Sequence, residues 1–292
     1  MSDTDQPFPP DLPTDYPTPA RVYGYGLGSK DNFAVDRAAT VQGLTVFPEL
    51  LDIARQNRLF LYRAVRYLAR DVGIRQFLDL GSGLPTNNNV HQVAQQFAPD
   101  STVVYVDNDP IVLTHGRALL ADNPNTTVIS ADMTEPDTVL DHPDTRSLID
   151  VSQPVAVLMF SIPHCIPEDA AARRAVHGPM ERVAPGSYLA FSHVCANDEA
   201  TAAESTQVAT SIGMTWRTRT AAEVTTWLEG LEPVAPGLGD ITDWRPDPDQ
   251  PPLEEVAAEL APFLGASARS KRVYEFGGVL HLDGQGSRPG GG

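Results

Sequence analysis

The chain predicts a Rossmann-like α/β fold with a mostly parallel sheet, on three observations. From Arg75 onward, strand-like and helix-like patterns alternate. The first strand pattern runs into FLDLGSGLP, Phe77 to Pro85: an apolar run, an acid, then a Gly-x-Gly turn. About two dozen residues later a second apolar run, TVVYVD, ends on Asp107. Alternation of this kind gives a parallel sheet with helices on both faces and right-handed crossovers, and binding then belongs at the carboxyl ends of the strands.

The elements follow in order. Residues 1–19 are acidic and proline-rich, with no positive or apolar leader region, so they read as a disordered tail and not as a secretory signal. From Asp31 to Gly73, Phe47, Leu50, Leu51, Ala54, Leu61, Val65 and Leu68 recur at helical spacing. Gly43 and Pro48 divide this stretch into two or three helices, which makes residues 20–74 a helical lid over the binding end of the sheet or a layer against its flank. Tyr23, Tyr25, Lys30, Asp31 and Asn32 lie in a segment too rich in glycine and aromatics for a simple helix.

Strands are expected at Gln76–Leu80, Thr102–Val106, Thr127–Ser130, Val155–Phe160 and Ser187–Ser192. Helices are expected at Thr86–Phe97, Pro110–Ala121, after Glu135, and at Glu168–Arg182. Pro110 suits a first helical turn, where its missing N–H is not needed, and Pro85 is expected near the preceding helix start. Thr220 and Glu223 form a capping box. Val234–Ile241, interrupted by Pro and Gly, and Arg272–Leu282 complete the strands, Pro246–Pro252 is a loop, and residues 284–292 are a flexible glycine-rich tail. Residues 75–283 thus form the binding domain.

The turn narrows the ligand. Glycine removes the Cβ that would hold a bound molecule off the backbone at Gly81 and Gly83, which flank Ser82, and all three are read as cofactor contacts. Asp107, closing the second strand, is placed to accept hydrogen bonds from a ribose diol, and Asn108 adds contacts to an adenosine. A dinucleotide fingerprint wants Gly or Ala three residues after the second glycine, beside a pyrophosphate, and Thr86 stands there. Asp79, before the first glycine, would repel phosphates and attract the ammonium of an amino acid. The combination favours S-adenosylmethionine over a nicotinamide dinucleotide.

Composition sets bounds. At 41% hydrophobic and 20% charged residues the 292-residue chain is an ordinary globule with no transmembrane stretch, expected in the cytoplasm. Its formal charge of −17 opposes nucleic acid, and the small basic group Arg269, Lys271 and Arg272 does not override it. Cys165 and Cys195 have neither disulfide-framework nor zinc spacing, and no histidine pair has metal-ligand spacing. No Gly-x-Ser-x-Gly elbow occurs, which disfavours a serine hydrolase.

Four segments carry a resemblance: ARVYGYGLGSKDNFAVDR from Ala20, RQFLDLGSGLPTNNNVHQVA from Arg75, VVYVDNDPIVLTHGRALL from Val103 and APGSYLAFSH from Ala184. They resemble the S-adenosyl methyltransferase family, long catalogued as a domain of unknown function, over most of Ala20 to Leu282. GLPT…NVH and VYVDNDP are far more specific than Gly-x-Gly alone. The resemblance implies a class I methyltransferase fold, a seven-stranded sheet whose last strand is antiparallel, and S-adenosylmethionine as cofactor. It puts Asp132 and Met133, after the third strand, at the adenine, and Phe160, Ser161 and His164, at the end of the fourth, near the methyl group.

His164 is then a candidate general base, because neutral imidazole titrates near working pH; His193, read as ending the fifth strand, is a lesser one. Tyr25 is a second catalytic candidate, and Tyr23 a candidate cofactor contact through cation–π stacking on the sulfonium. Gly28-Ser29-Lys30 and Ile162-Pro163-His164 depart from the family's usual Gly-Gly-Lys and aliphatic-aliphatic-His. The absence of an Asp/Asn-Pro-Pro-aromatic motif at Phe160-Ser161-Ile162-Pro163 argues against amino-methyltransferases of DNA bases and glutamine. Methyl transfer to a small-molecule acceptor is the leading reading, with no nucleic acid, no metal and no membrane; a homodimer is compatible with it. The alternative is a cofactor-binding sensor or accessory protein without turnover.

Overall fold

The computed structural model describes residues 14–120 and 123–283. The expected tails at residues 1–13 and 284–292 lie outside the described residues. In chain order the elements are α1 (Pro19–Gly26), α2 (Ala34–Val46), α3 (Leu50–Arg66), β1 (Gln76–Leu80), α4 (Val90–Phe97), β2 (Thr102–Asp107), α5 (Pro110–Leu120) and β3 (Thr126–Ser130). Then come α6 (Pro136–Leu140), α7 (Pro143–Leu148), β4 (Ala156–Met159), α8 (Asp169–Arg182), β5 (Tyr188–Ala196) and α9 (Glu199–Ser211). The chain ends with β6 (Arg219–Thr220), α10 (Ala221–Thr225), β7 (Glu232–Pro233), β8 (Gly239–Asp240) and β9 (Val273–His281).

The seven-strand path runs β3-β2-β1-β4-β5-β9-β7, and two-residue strands β6 and β8 attach to β5 and β9. β1, β2, β3, β4 and β5 are mutually parallel, whereas β9 runs antiparallel to β5 from Tyr188↔His281 to Ala196↔Val273. This is the sheet the resemblance implied. β1 has β2 on one side and β4 on the other, so successive crossovers diverge there and leave a cleft at their carboxyl ends.

Period-two alternation sends the strands' side chains to two separate cores. Leu78, Leu80, Val104, Val106, Val157 and Phe191 pack against Ala172, Val176 and Met180 of α8. Phe77, Val103, Tyr105, Ala156, Leu158 and Ala190 pack against Phe60, Ala64, Val65 and Leu68 on the other side. The helical block therefore divides: the α3 segment is a full layer of the core, whereas α1 and α2 lie over the cleft end. Arg21 and Asp36, both fully buried, tie those two helices together through a 2.9 Å ion pair.

Several elements differ from expectation for local reasons. The segment around Tyr23 and Tyr25 is helical after all: Pro19 sits in its first turn, and its buried face is Arg21, Gly24, Tyr25 and Gly26. Helix α4 starts four residues late, because Asn88 has φ of 61° and the Asn89 N–H donates to Gln92 Oε1, fixing the start there. Pro85 therefore lies in the loop and not at a helix start. β5 extends to Ala196 under full pairing with β9, which leaves His193 inside the strand, fully buried beside Trp227, and not at its end. Residues 234–238 bulge off the β9 edge between β7 and β8, so Val234–Ile241 is not a strand. The Thr220–Glu223 capping box forms as read. Among the described residues no helix is long and apolar enough to cross a membrane.

At Gly277 a Cβ would fall 2.0 Å from the Phe191 carbonyl oxygen, so β9 can lie against β5 only with glycine there. Gly277→Ala is expected to cost about 2 kcal/mol or more by forcing backbone apart. Urea denaturation of the variant beside the parent checks it.

Candidate functional site

At the end of β1 the chain turns left-handed twice, with φ of 71° at Gly81 and 66° at Gly83. The N–H groups of Gly81 and Ser82 both donate to the Val106 carbonyl, at 2.8 and 3.2 Å, which pins the turn to β2. The two glycines serve different ends. A Cβ at Gly81 would lie 2.4 Å from Ile162 Cγ1 and 2.7 Å from Met133 Cε, so that residue closes the turn against the loops after β3 and β4. A Cβ at Gly83 would meet nothing within 4 Å. Only Gly83 presents bare backbone to the cleft.

Asp107 accepts from the Gly83 N–H through Oδ2 and from the Asp109 N–H through Oδ1, each at 2.9 Å. Burial raises its pKa, and those backbone donors oppose the rise. Asp109, not Asp107, caps α5, its Oδ1 accepting from the Ile111 N–H. Each oxygen of Asp107 keeps a lone-pair direction for a further donor.

Asp79 differs: it is 5% exposed, and no hydrogen bond or ion pair to its carboxyl group occurs among the described residues. Burial pushes its carboxyl up to about 7, with Arg58 pulling the other way and Asp107 adding to the rise. Arg58 reaches the cleft from α3; its Nη2 donates to the Asn87 and Asn88 carbonyls at 2.8 and 2.9 Å and shapes the loop after the turn. A buried carboxylate without a donor is costly, and a cation bound beside it would remove the cost.

The remaining candidates separate. Met133 packs at Gly81, while Asp132 is exposed and its Oδ1 accepts from both the N–H and hydroxyl of Thr134 at 2.8 Å. Asn108 is exposed at the cleft edge. Phe160 points into the core, edge-on to Phe60 at 5.6 Å between ring centroids, so its backbone and not its ring faces the cleft end. Ser161 follows with φ of 55°, a strained conformation for a residue with a side chain.

Tyr23 is positioned by α3: its hydroxyl donates to the Ala54 carbonyl at 3.1 Å and accepts from Asn57 Nδ2 at 2.9 Å. Tyr25 is turned away, its hydroxyl bonded to Glu259 and its ring among Leu44, Leu51 and Leu260. His164 is 2% exposed; its Nδ1 accepts from the Val194 N–H at 3.2 Å, and burial lowers its pKa to about 3. That bond leaves the proton on Nε2, so His164 is a neutral donor. Neither geometry suits the general base expected of Tyr25 or His164.

Residues 5–279 match the family described as S-adenosyl methyltransferase. The chain belongs to that family. A crystal structure of a methyltransferase candidate from Thermobifida fusca YX is 39% identical, covering 94% of this chain and 98% of its own, with a TM-score of 0.79. A DUF574 family protein from Streptomyces avermitilis MA-4680 is 35% identical, covering 92% and 98%, with a TM-score of 0.78. No curated protein matches the sequence. The protein is thus an S-adenosylmethionine-dependent methyltransferase, and neither relative's name gives an acceptor.

The methyltransferase carries a buried polar chain that sequence reasoning missed. Asn57 of α3 donates to Tyr23 and, through Oδ1, accepts from Ser192 Oγ at 2.7 Å; Ser192 Oγ accepts from the Ser161 N–H at 2.8 Å. Ser161 Oγ donates to Glu275 Oε2 at 3.3 Å. Glu275 of β9 is 2% exposed, and its Oε1 has no partner. Burial pushes its carboxyl up to about 8. Its signal was available, since VYEFGGVL places one acid in an apolar strand, as TVVYVD does. Arg58 and Asn57 gave no such signal, being ordinary polar positions of a helix.

A carboxyl that ionises near 8 when folded, against about 4.3 when unfolded, keeps its proton in the fold while the unfolded chain loses it. Stability from this group is therefore lost as pH rises from about 4.5 to 8. Glu275→Gln is expected to raise the melting temperature over the parent at pH 8.5 and to close most of that difference at pH 5, measured by thermal denaturation across pH.

Proposed function

We propose that this methyltransferase acts on a small molecule and that the cleft between Gly83, Asp79 and Asp107 holds its cofactor. One observation carries the reading: Asp79 is a buried carboxyl whose side chain has no donor among the described residues, beside a glycine whose backbone is open. Asp107 accepts from the ribose hydroxyls, Asp79 faces the ammonium of the amino acid end, and Arg58 faces its carboxylate. The residues fit the group, since each charge has an opposite or a hydrogen-bond partner. Met133 and the N–H groups near Asp132 border the adenine, and Tyr23 and Ser161 border the sulfur end.

Bound there, S-adenosylmethionine supplies a methyl group on a positive sulfur, which needs alignment and exclusion of water more than a covalent catalyst. The lid of α1 and α2 supplies the exclusion. Glu275, reached through Ser161 Oγ, can take up a proton released by the acceptor only in its ionised form, so such a role grows as pH rises through about 8.

The acceptor class follows from charge. Lys271 pairs with Asp240, and Arg272 with Glu49 and Glu204, so two of the three residues of the small basic group are neutralised in place on a chain of charge −17. No positive track for a nucleic acid remains there. Cytoplasmic residence belongs to the same reading.

Titration calorimetry tests it. Asp107→Ala is expected to weaken S-adenosylmethionine binding at least about tenfold, the loss of one charge-assisted contact. Parental affinity should rise as pH rises through about 7, because Asp79 ionises there and then attracts the ammonium. Asp79→Asn should bind weakly and without that rise. Undiminished uptake by both variants would overturn the assignment.

A further inference from the structure

Beneath the lid lies a second space, a cavity of about 140 Å³ between α1, α2, the start of α3, α9 and the loop after β4. Its walls are hydrocarbon: Leu44, Phe47, Leu51, Ile53, Val208 and Ile212 among them. Among the described residues that line it, none is Asp, Glu, Lys or Arg. The polar groups that do line it are largely engaged: Thr40 Oγ1 donates to the Asp36 carbonyl, Ser205 bonds Thr218, and the Tyr23 hydroxyl bonds Ala54 and Asn57. Cys165 stays a thiol, burial pushing it up to about 12.

Two groups keep capacity, and both lie in the loop after β4. His164 holds a proton on Nε2 with no acceptor for it among the described residues, and Ser161 Oγ donates to Glu275 but can still accept. This end adjoins the Gly-x-Gly turn, since Ile162, the residue between them and the cleft, is the one that packs against Gly81. One neutral donor and one neutral acceptor side by side match a hydroxyl group, which accepts one hydrogen bond and donates another.

We infer that this cavity is the acceptor chamber and that it takes an uncharged, mainly hydrocarbon molecule of about single-ring size carrying a hydroxyl, held by His164 and Ser161. This rests on the cofactor reading above. An ion placed here would lose its hydration with no opposite charge among the described lining residues to replace it. The size follows from comparison: an apolar cavity of about 150 Å³ accommodates benzene.

The experiment uses three probes with the same tolyl ring, p-cresol, p-toluate and 4-methylbenzylamine, titrated calorimetrically into the full chain with and without S-adenosylhomocysteine. p-Cresol is expected to bind at least about tenfold more tightly than either charged probe. Ala209→Trp, filling the cavity from α9, should reduce p-cresol binding at least about tenfold and leave S-adenosylmethionine uptake within about twofold. Should that variant lose cofactor uptake as well, Ala54→Leu, filling from α3, decides by the same two readouts. Equal binding of the charged probes, or p-cresol binding undisturbed by a filled cavity, overturns the inference. A chain that takes p-cresol as expected but not the cofactor overturns the cleft reading alone.

Discussion

Parallel pairing of β1 with β2 brings two carboxylates to one end of the sheet, and much of the site follows from keeping them there. The register sets Asp79 opposite Tyr105 and Leu80 opposite Val106, so Asp107 stands one residue beyond the last pair, level with the glycine turn. Each acid raises the cost of ionising in the other's neighbourhood, as Asp79 shows. The fold manages the two differently. Asp107 is given backbone donors from Gly83 and Asp109. Asp79 is given only the field of Arg58 from α3. A site that leaves one of two neighbouring acids without a donor is poised for a cationic ligand.

That arrangement explains why α3 belongs to the core and not to the lid. Phe60, Ala64 and Val65 fasten it to the sheet, while Asn57 and Arg58, one turn earlier, emerge at the cleft. The same helix therefore sets the position of the Arg58 guanidinium, the loop after the turn, and Tyr23 above it. α1 and α2 hold to each other through Arg21 and Asp36, whose pairing is buried and has the Thr18 and Phe33 N–H groups as further donors. The lid is thus a unit with its own internal ties, closing on a scaffold fixed by hydrocarbon packing.

What was legible in the sequence was whatever depended on local pattern. The five parallel strands, the turn glycines, Asp79 and Asp107 were read from apolar runs, glycine and acid at strand ends. α9 escaped because its apolar stripe is weak; Ala202 and Ser205 are its only fully buried side chains, and helix formation there rests on the Asp198 cap. The extension of β5 to Ala196 escaped because β9, nearly eighty residues later, supplies the partner. Phe160 and Tyr25 were assigned by position to the site, yet which way a side chain faces depends on the neighbours it meets, here Phe60 and Glu259. Glu275 is the instructive omission, since an acid within an apolar strand was trusted at Asp107 and passed over in the last strand.

The neutrality of the inner site has a physical consequence for the chemistry. His164 is kept uncharged by burial and by Arg219 nearby, and its one basic nitrogen is engaged by Val194. Cys165 and Glu275 are likewise held in their protonated forms by burial near neutrality. Among the described residues that line the two halves, charge lies on the proposed cofactor side, at Arg58, Asp107 and, above about pH 7, Asp79, so the halves differ in polarity across the few residues from Gly81 to Ser161. Methyl transfer from a sulfonium dissipates charge, and a region of low polarity opposes the charged ground state more than the dispersed transition state. A charged donor side meeting a neutral acceptor side is therefore the arrangement that favours transfer. In the proposed reading α1 and α2, which line this space, keep water from that boundary and so belong to the catalytic geometry.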